Sequence, residues 1–364
     1  MSINLADYGF TGADFIAAQS IINERKDYIP GRIIEAQRER FKIICEYGEA
    51  AAEVKGSFYH NNQNEEPDAY PVVGDFVVIK HNDQGSSMIH AVLPRRSKFS
   101  RVDFLGHASG YAKNVKEQVS AANFDFVFIM SSLNNDLNLN RLSRYLTASL
   151  QSGGFPVFIL TKADLVDDLT PLAYNVQKLA REAPVLTISN KTGFGYEQLD
   201  PFLQPGKTAV FLGSSGVGKS SLLNRLAGKE LMEVKEIRED DSKGRHTTTY
   251  KQLFLLTSGA LVIDTPGMRE LGLWDSSEGI SRAFSEVEEL FSNCRFNDCS
   301  HQSEPGCAVI AALKDGALSQ DKWNSYLAQT RENKFVTNHS AYLKERKAMR
   351  KRIAMFTRSI QKKD

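Results

Sequence analysis

The stretch Gly213-Ser214-Ser215-Gly216-Val217-Gly218-Lys219-Ser220 lies between the apolar run Ala209-Val210-Phe211-Leu212 and the helical pattern Ser221-Leu222-Leu223-Asn224-Arg225-Leu226. Strand, glycine-rich loop and helix in that order make a phosphate cradle. The glycines let the backbone curl so that successive N–H groups face inward, and the helix start adds partial positive charge. Lys219 reaches the terminal phosphates, the Ser220 hydroxyl ligates magnesium, and Ser221 closes the first helical turn. The chemistry is the binding of a nucleoside triphosphate. A plain glycine-rich turn is the bland alternative, and the flanks disfavour it.

A second segment completes such a site. Asp264-Thr265-Pro266-Gly267 follows the apolar Leu261-Val262-Ile263. Asp264, at a strand end, can hold the water shell of magnesium, and the Gly267 N–H can sense a γ-phosphate. Thr161-Lys162-Ala163-Asp164 follows the apolar run at 155–160 and matches the base-reading motif of GTPases, usually Asn-Lys-x-Asp. Asp164 would accept hydrogen bonds from the ring N–H and the exocyclic amine of guanine, with the Lys162 stem on the purine face; adenine offers no such pair of donors. Alone, the tetrapeptide reads more readily as a helix N-cap by Asp164 after a strand. Ser189-Asn190-Lys191-Thr192-Gly193 resembles the companion loop that supports the base.

The polar stretch 239–249 has the length and composition of a first switch. Thr248, with Thr247 close behind, would join the magnesium shell when triphosphate is bound. Met268 stands where many GTPases place the glutamine that orients the attacking water, so another group must do that work. His246 is the nearest candidate by sequence; an exposed or RNA-contacting histidine is its bland reading. Three thiols and an imidazole, Cys294-x4-Cys299-x-His301-x5-Cys307, then fall within a short span and match a closed, tetrahedral, structural zinc shell.

The elements that must position these groups follow from periodicity. Between 121 and 265 apolar strands (124–130, 155–160, 184–188, 209–212, 252–256, 261–263) alternate with helical patterns near 138–151, 170–182, 195–203 and 219–228, which predicts a mainly parallel α/β sheet covered by helices on both faces. Ligands of such sheets sit at the carboxyl ends of the strands. From residue 31 to about 93 the pattern shortens to strands at 32–34, 41–45, 76–80 and 88–92, which fits a small barrel, with the OB-fold the commonest nucleic-acid binder among them. Arg95, Arg96, Lys98 and Arg101 add positive charge just past the last strand. Residues 1–27 predict a short amphipathic helix carrying Phe15, Ile16, Ile21 and Ile22, and 61–68 an exposed loop. The basic tail after Tyr342 can lie along phosphates or form a solvated helix.

Composition narrows the classes. At 364 residues the chain suggests two or three domains, and its net charge of +1 gives no global field toward nucleic acid. No apolar run approaches the length of a membrane span and no secretory leader is seen, which predicts a soluble cytoplasmic protein. With four cysteines, three of them clustered, the pattern is that of a metal site rather than of disulfides.

The order of the motifs is unusual: base-reading motif, companion loop, phosphate loop, then Asp264-Thr265-Pro266-Gly267. GTPases ordinarily begin with the phosphate loop, so this sequence reads as a circularly permuted G domain. Together with Gly244-Arg245-His246-Thr247-Thr248-Thr249 and the cysteine cluster ending in Glu304-Pro305-Gly306-Cys307, the chain resembles the ribosome small-subunit-dependent GTPase A (RsgA/YjeQ) family over nearly its whole length. The resemblance implies a multidomain α/β protein. An extension (1–27) would precede an OB-fold barrel (28–100), a circularly permuted P-loop G domain with a doubly wound sheet (101–275) and a helical zinc domain with a basic tail (276–364). It implies GTP/GDP with Mg2+ and one structural Zn2+, a cytoplasmic monomer without membrane contact, and the small (30S) ribosomal subunit with its 16S rRNA as partner, acted on late in maturation and stimulating hydrolysis. Two departures stand out, a longer N-terminal extension and Asn190-Lys191 in place of the usual small pair. An RNA-binding scaffold propped by nucleotide is the competing reading. An ATP-dependent kinase lacks a nameable acceptor site.

Overall fold

The computed structural model describes residues 2–22, 27–37, 40–54, 70–105, 114–134, 137–232, 251–264 and 275–337. The chain divides into two compact units, Met1–Asp103 with Lys116–Leu271, and Phe104–Val115 with Gly272–Asp364.

Five strands of the first unit close a barrel: β1 (Tyr28–Gln37), β2 (Arg40–Cys45), β3 (Gly48–Val54), β4 (Phe76–Lys80) and β5 (Ser87–Val92). They run in the order β1-β2-β3-β5-β4, and β4 returns to pair with β1. All pairs are antiparallel except β3 with β5. This is the five-stranded OB-fold. Alternation along β2 sends Phe41, Ile43 and Cys45 inward to meet Ile33, Ala52, Val77, Ile79 and Ile89. β3 was not foreseen, because Gly-Glu-Ala-Ala-Ala-Glu-Val is built from residues of poor strand propensity; pairing on both edges overrides it.

A register shift between Ile33 and Glu35 lets β1 leave the barrel and pair at Glu35 and Ala36 with β12 (Lys251–Leu255). From there the sheet continues through β13 (Leu261–Asp264), β11 (Thr208–Gly213), β8 (Phe126–Ser132), β9 (Phe155–Thr161) and β10 (Val185–Thr187). These strands are parallel, apart from the antiparallel β12. Chain order turns back between β8 and β11, which makes the gap above those strand ends the topological switch point where ligands bind. Helices α2 (Leu139–Ser152), α3 (Thr170–Ala180) and α4 (Lys219–Ala227) stand where the sequence places them. The helix expected at 195–203 is instead a 3₁₀ turn, Tyr196–Phe202, since Pro201 has no N–H to continue an α-ladder. β6 (Lys98–Leu105) and β7 (Asn114–Ala122) form a separate two-stranded sheet.

The N-terminal helix α1 (Gly12–Ile22) forms and packs Ala17, Ala18, Ile21 and Ile22 against Phe76, Val78 and Leu93, while Phe15 and Ile16 face solvent. A polar anchor stands beside it. Arg32 of β1, fully buried, donates to the carbonyls of Tyr8, Gly74 and Asn123 and to the Thr208 hydroxyl, and lies over the Phe76 ring. Burial, then repulsion from Arg96, pulls its pKa down to about 9, against the carboxylates of Asp125, Asp14 and Asp75. It therefore stays charged at neutral pH. Arg95 is likewise an internal group rather than a surface cation, paired at 2.7 Å with the fully buried Asp75.

In the second unit α5 (Ser277–Ala283), α6 (Ser285–Phe291), α7 (Ala308–Asp315) and α8 (Gln320–Thr337) pack around the cysteine segment. No helix among the described residues is long and apolar enough to cross a membrane. The loop at 61–68 and the basic tail lie outside the described residues.

Candidate nucleotide and metal sites

The first unit brings three segments distant in sequence to one end of its sheet. The phosphate loop leaves β11 at Gly213 and enters α4 at Lys219, with Gly216 and Gly218 both at positive φ. At Gly218 (φ +96°) an L side chain is strained, and its Cβ would lie 2.8 Å from Asn190 Nδ2. Val217 is buried in the core beneath the loop, while Ser214, Ser215, Ser220 and Ser221 remain at least partly accessible. The Lys219 ammonium donates to the carbonyls of Gly213 and Ser214, 2.7 and 2.6 Å away, so the cation is held across the loop. Asp264 ends β13, next to β11, and is nearly buried.

The base-reading segment follows β9, on the other side of β8. Thr161 is buried and donates at 2.7 Å to the Val217 carbonyl of the phosphate loop. Lys162 has φ +61°, the left-handed region, and sets up the 3₁₀ turn Ala163–Leu165 that exposes Asp164. A lysine in that conformation carries strain that the surrounding structure must hold. The companion loop after β10 supplies Ser189, whose hydroxyl donates to Asp164 Oδ1 at 2.5 Å and accepts from the Thr192 N–H. The Asp164 carboxylate is thus oriented by the neighbouring loop. Sequence reasoning placed Asn190 in the companion loop but overlooked its partners beside the phosphate loop, Tyr196 and Arg225. No motif marks the last two. Thr247, His246, Thr248 and Gly267 lie outside the described residues.

In the second unit, Cys294, Cys299, His301 and Cys307 place one ligand atom each within 4.8 Å of one another. Cys294 Sγ is 4.0 Å from Cys307 Sγ, and His301 Nδ1 is 3.6 Å from both. A tetrahedron with Zn–S bonds of about 2.3 Å needs sulfurs about 3.8 Å apart, so donor set and spacing fit zinc. Phe291 stacks on the His301 ring at 4.3 Å and Trp323 meets its edge. Glu304 shapes the loop by accepting from the N–H groups of Ser300, Gln302 and Ser303 and from the Ser300 hydroxyl. These bonds, the hydroxyl's first, hold its pKa down to about 2. Gly306 (φ +78°) makes the reversal that returns Cys307 to the cluster. Desolvation, acting upward on Cys294, is outweighed by the N–H groups of Ala308 and Val309 at the start of α7 and by the other thiols, so this thiol ionises below its ordinary range. Cys299 is pushed up to about 11, by desolvation first and then by the competing thiols. Metal binding would require all three thiols to be deprotonated.

Comparison with known proteins bears on both sites. The family profile of the RsgA GTPase matches residues 92–274. "Small ribosomal subunit biogenesis GTPase RsgA 1" of Listeria innocua is 46% identical over 329 residues, 90% of this chain and 89% of that one. "Small ribosomal subunit biogenesis GTPase RsgA" of Methanosarcina acetivorans is 42% identical over 309 residues, 85% and 80% of the two chains. Among solved structures, YjeQ from Thermotoga maritima superposes with a TM-score of 0.59 at 25% identity, over 84% of this chain and 98% of that one. YloQ, described as a circularly permuted GTPase, superposes at 0.55 and 25% identity, over 84% and 95%. With the base-reading segments encoded before the phosphate loop yet assembled around it, and with relatives of this identity along most of its length, the chain belongs to the RsgA GTPase family.

Proposed function

We propose that this chain hydrolyses GTP in the late maturation of the small ribosomal subunit, binding the subunit through its 16S rRNA and being stimulated by it, as a monomer in the cytoplasm. The observation that carries the reading is that the segment holding Asp164 is tied to the phosphate loop by Thr161 and to the companion loop by Ser189, at the switch point of the sheet. In this reading Asp164 reads guanine, Lys162 covers the base and Ser189 holds the carboxylate. Residues 213–219 cradle the phosphates, and Ser220, Ser221, Asp264 and Thr248 serve the magnesium end. Gly267 senses the γ-phosphate and His246 positions water. Magnesium would neutralise charge developing on the phosphates. Cys294, Cys299, His301 and Cys307 would hold a structural zinc with no open position for catalysis. The domain partition at 28–100, 101–275 and 276–364 belongs to the same reading.

Turnover of GTP and ATP, with and without purified small subunits, tests it. Slow GTP hydrolysis alone, with a rise of about 10³- to 10⁵-fold at most on the subunit and none with ATP, is expected, the scale that trans-acting groups reach in other GTPases. Equal turnover of ATP, or indifference to the subunit, overturns it. His246→Ala should abolish most of the stimulated rate and leave GTP affinity unchanged; full stimulation of that variant removes the histidine.

A further inference from the structure

Two hydrogen bonds reach the phosphate loop from the base side, and they land on consecutive residues. Thr161 donates to the Val217 carbonyl at 2.7 Å, and Asn190 Nδ2 donates to the Gly218 carbonyl at 3.1 Å. In a planar trans peptide the carbonyl and the N–H of the same unit point in opposite directions. Fixing the carbonyls of Val217 and Gly218 therefore fixes the N–H groups of Gly218 and Lys219, the donors a phosphate loop turns on its ligand.

We propose that Asn190 is a positioning residue that aligns the Lys219 N–H for the phosphates beyond the first, its carboxamide clamped between the Gly218 carbonyl and the Tyr196 hydroxyl. The Tyr196 hydroxyl donates to Asn190 Oδ1 at 2.7 Å, which leaves the amide nitrogen to face Gly218. Burial raises Tyr196 to about 12, against the pull of Arg225, so the hydroxyl keeps its proton. Arg225 lies over the Tyr196 ring at 4.6 Å and donates to the Asn190 carbonyl at 2.9 Å, tying the loop to the last turn of α4. The Gly218 carbonyl also accepts from the Leu222 N–H at 2.9 Å, so the same peptide starts the helix. The companion loop thereby acts on the phosphate end as well as on the base. Alanine or glycine at 190 has no side-chain donor to make this contact.

The proposal rests on the nucleotide-site reading above and deepens it. Affinities of the full chain with Mg2+ are measured for GDP and GMP by displacement of a fluorescent GDP analogue. Asn190→Ala is expected to weaken GDP about tenfold, the worth of one net hydrogen bond, and GMP no more than about twofold. The preference for guanine over adenine nucleotides stays, because Asp164 and Ser189 are untouched. Asn190→Asp, the same size without a donor, reproduces the fall in the GDP-to-GMP ratio. Tyr196→Phe keeps the ring under Arg225 and frees only the carboxamide. It lowers the same ratio by about two- to fourfold and reads the effect even where the alanine variant does not fold. An unchanged ratio, or equal losses of GDP and GMP, overturns the proposal. Failure of the unmodified chain to bind GDP overturns the reading of the site itself, and that control keeps the two failures apart.

Discussion

The two sites of this chain are built in opposite ways. The cysteine site draws all four ligands from residues 294–307, held by a stacked phenylalanine, a left-handed glycine and one carboxylate that gathers three N–H groups. The nucleotide site draws on segments after β9, β10 and β11 and on Asp264 at the end of β13, more than a hundred residues from first to last, and is aligned by bonds between loops. A local site needs a cation to offset the repulsion among its own ligands, so its folding is coupled to metal. A distributed site rests on a sheet whose buried Val, Ile, Leu and Phe side chains each contribute roughly 1.5–3 kcal/mol, so it stands before any ligand arrives. In the proposed reading, metal and fold are coupled in the second unit and separable in the first.

The largest effect should come from the local site. Structural zinc contributes about 10–16 kcal/mol in small zinc-binding peptides, and that binding energy is folding energy. Cys307→Ser, or chelation, is expected to empty the metal and to strip amide-exchange protection from α5 to α8, with GDP affinity retained within about twofold. Loss of protection in β8 to β13 as well would break the contrast. At the distributed site, Asp164→Asn should shift preference from guanine to xanthine nucleotides. It should erase a discrimination against adenine of roughly 10⁴-fold while the second unit stays fully protected, as competition between the nucleotides would show.

A smaller loss is expected at Arg32, whose removal leaves two buried carbonyls, one half-buried carbonyl and a hydroxyl to be satisfied. Arg32→Met should cost about 3–5 kcal/mol at 1–3 per orphaned acceptor after partial relaxation, measured by denaturant unfolding of the first unit. Metal content should not move. The smallest effect concerns Glu304. Its folded pKa of about 2 lies below the ordinary 4.5, so its stabilisation is complete above about pH 4.5 and is lost as pH falls through about 2. Glu304→Gln should bind metal less tightly than the parent at pH 7, and the difference should shrink below pH 4.5. A difference that grows in acid would contradict that sign.

How each site was read follows from how it is built. The cysteine spacing, the phosphate loop and the segment at Asp264 were legible because covalent spacing alone sets them, and the strands around them declare themselves by unbroken apolar runs, such as Phe126-Val127-Phe128-Ile129-Met130 in β8. The permuted order of motifs was legible for the same reason, since order is a property of the chain. Periodicity, in turn, was silent about β3 and half right about α1, whose Ile21 and Ile22 pack inward while Phe15 and Ile16 lie outward. Only the tertiary structure decided which carbonyls of the phosphate loop are held, that Asn190 and Thr161 hold them, and that Arg32 and Arg95 are interior. Hydrogen bonds between loops depend on strand register and peptide orientation. Those are fixed when the whole sheet closes, and no spacing along the sequence encodes them.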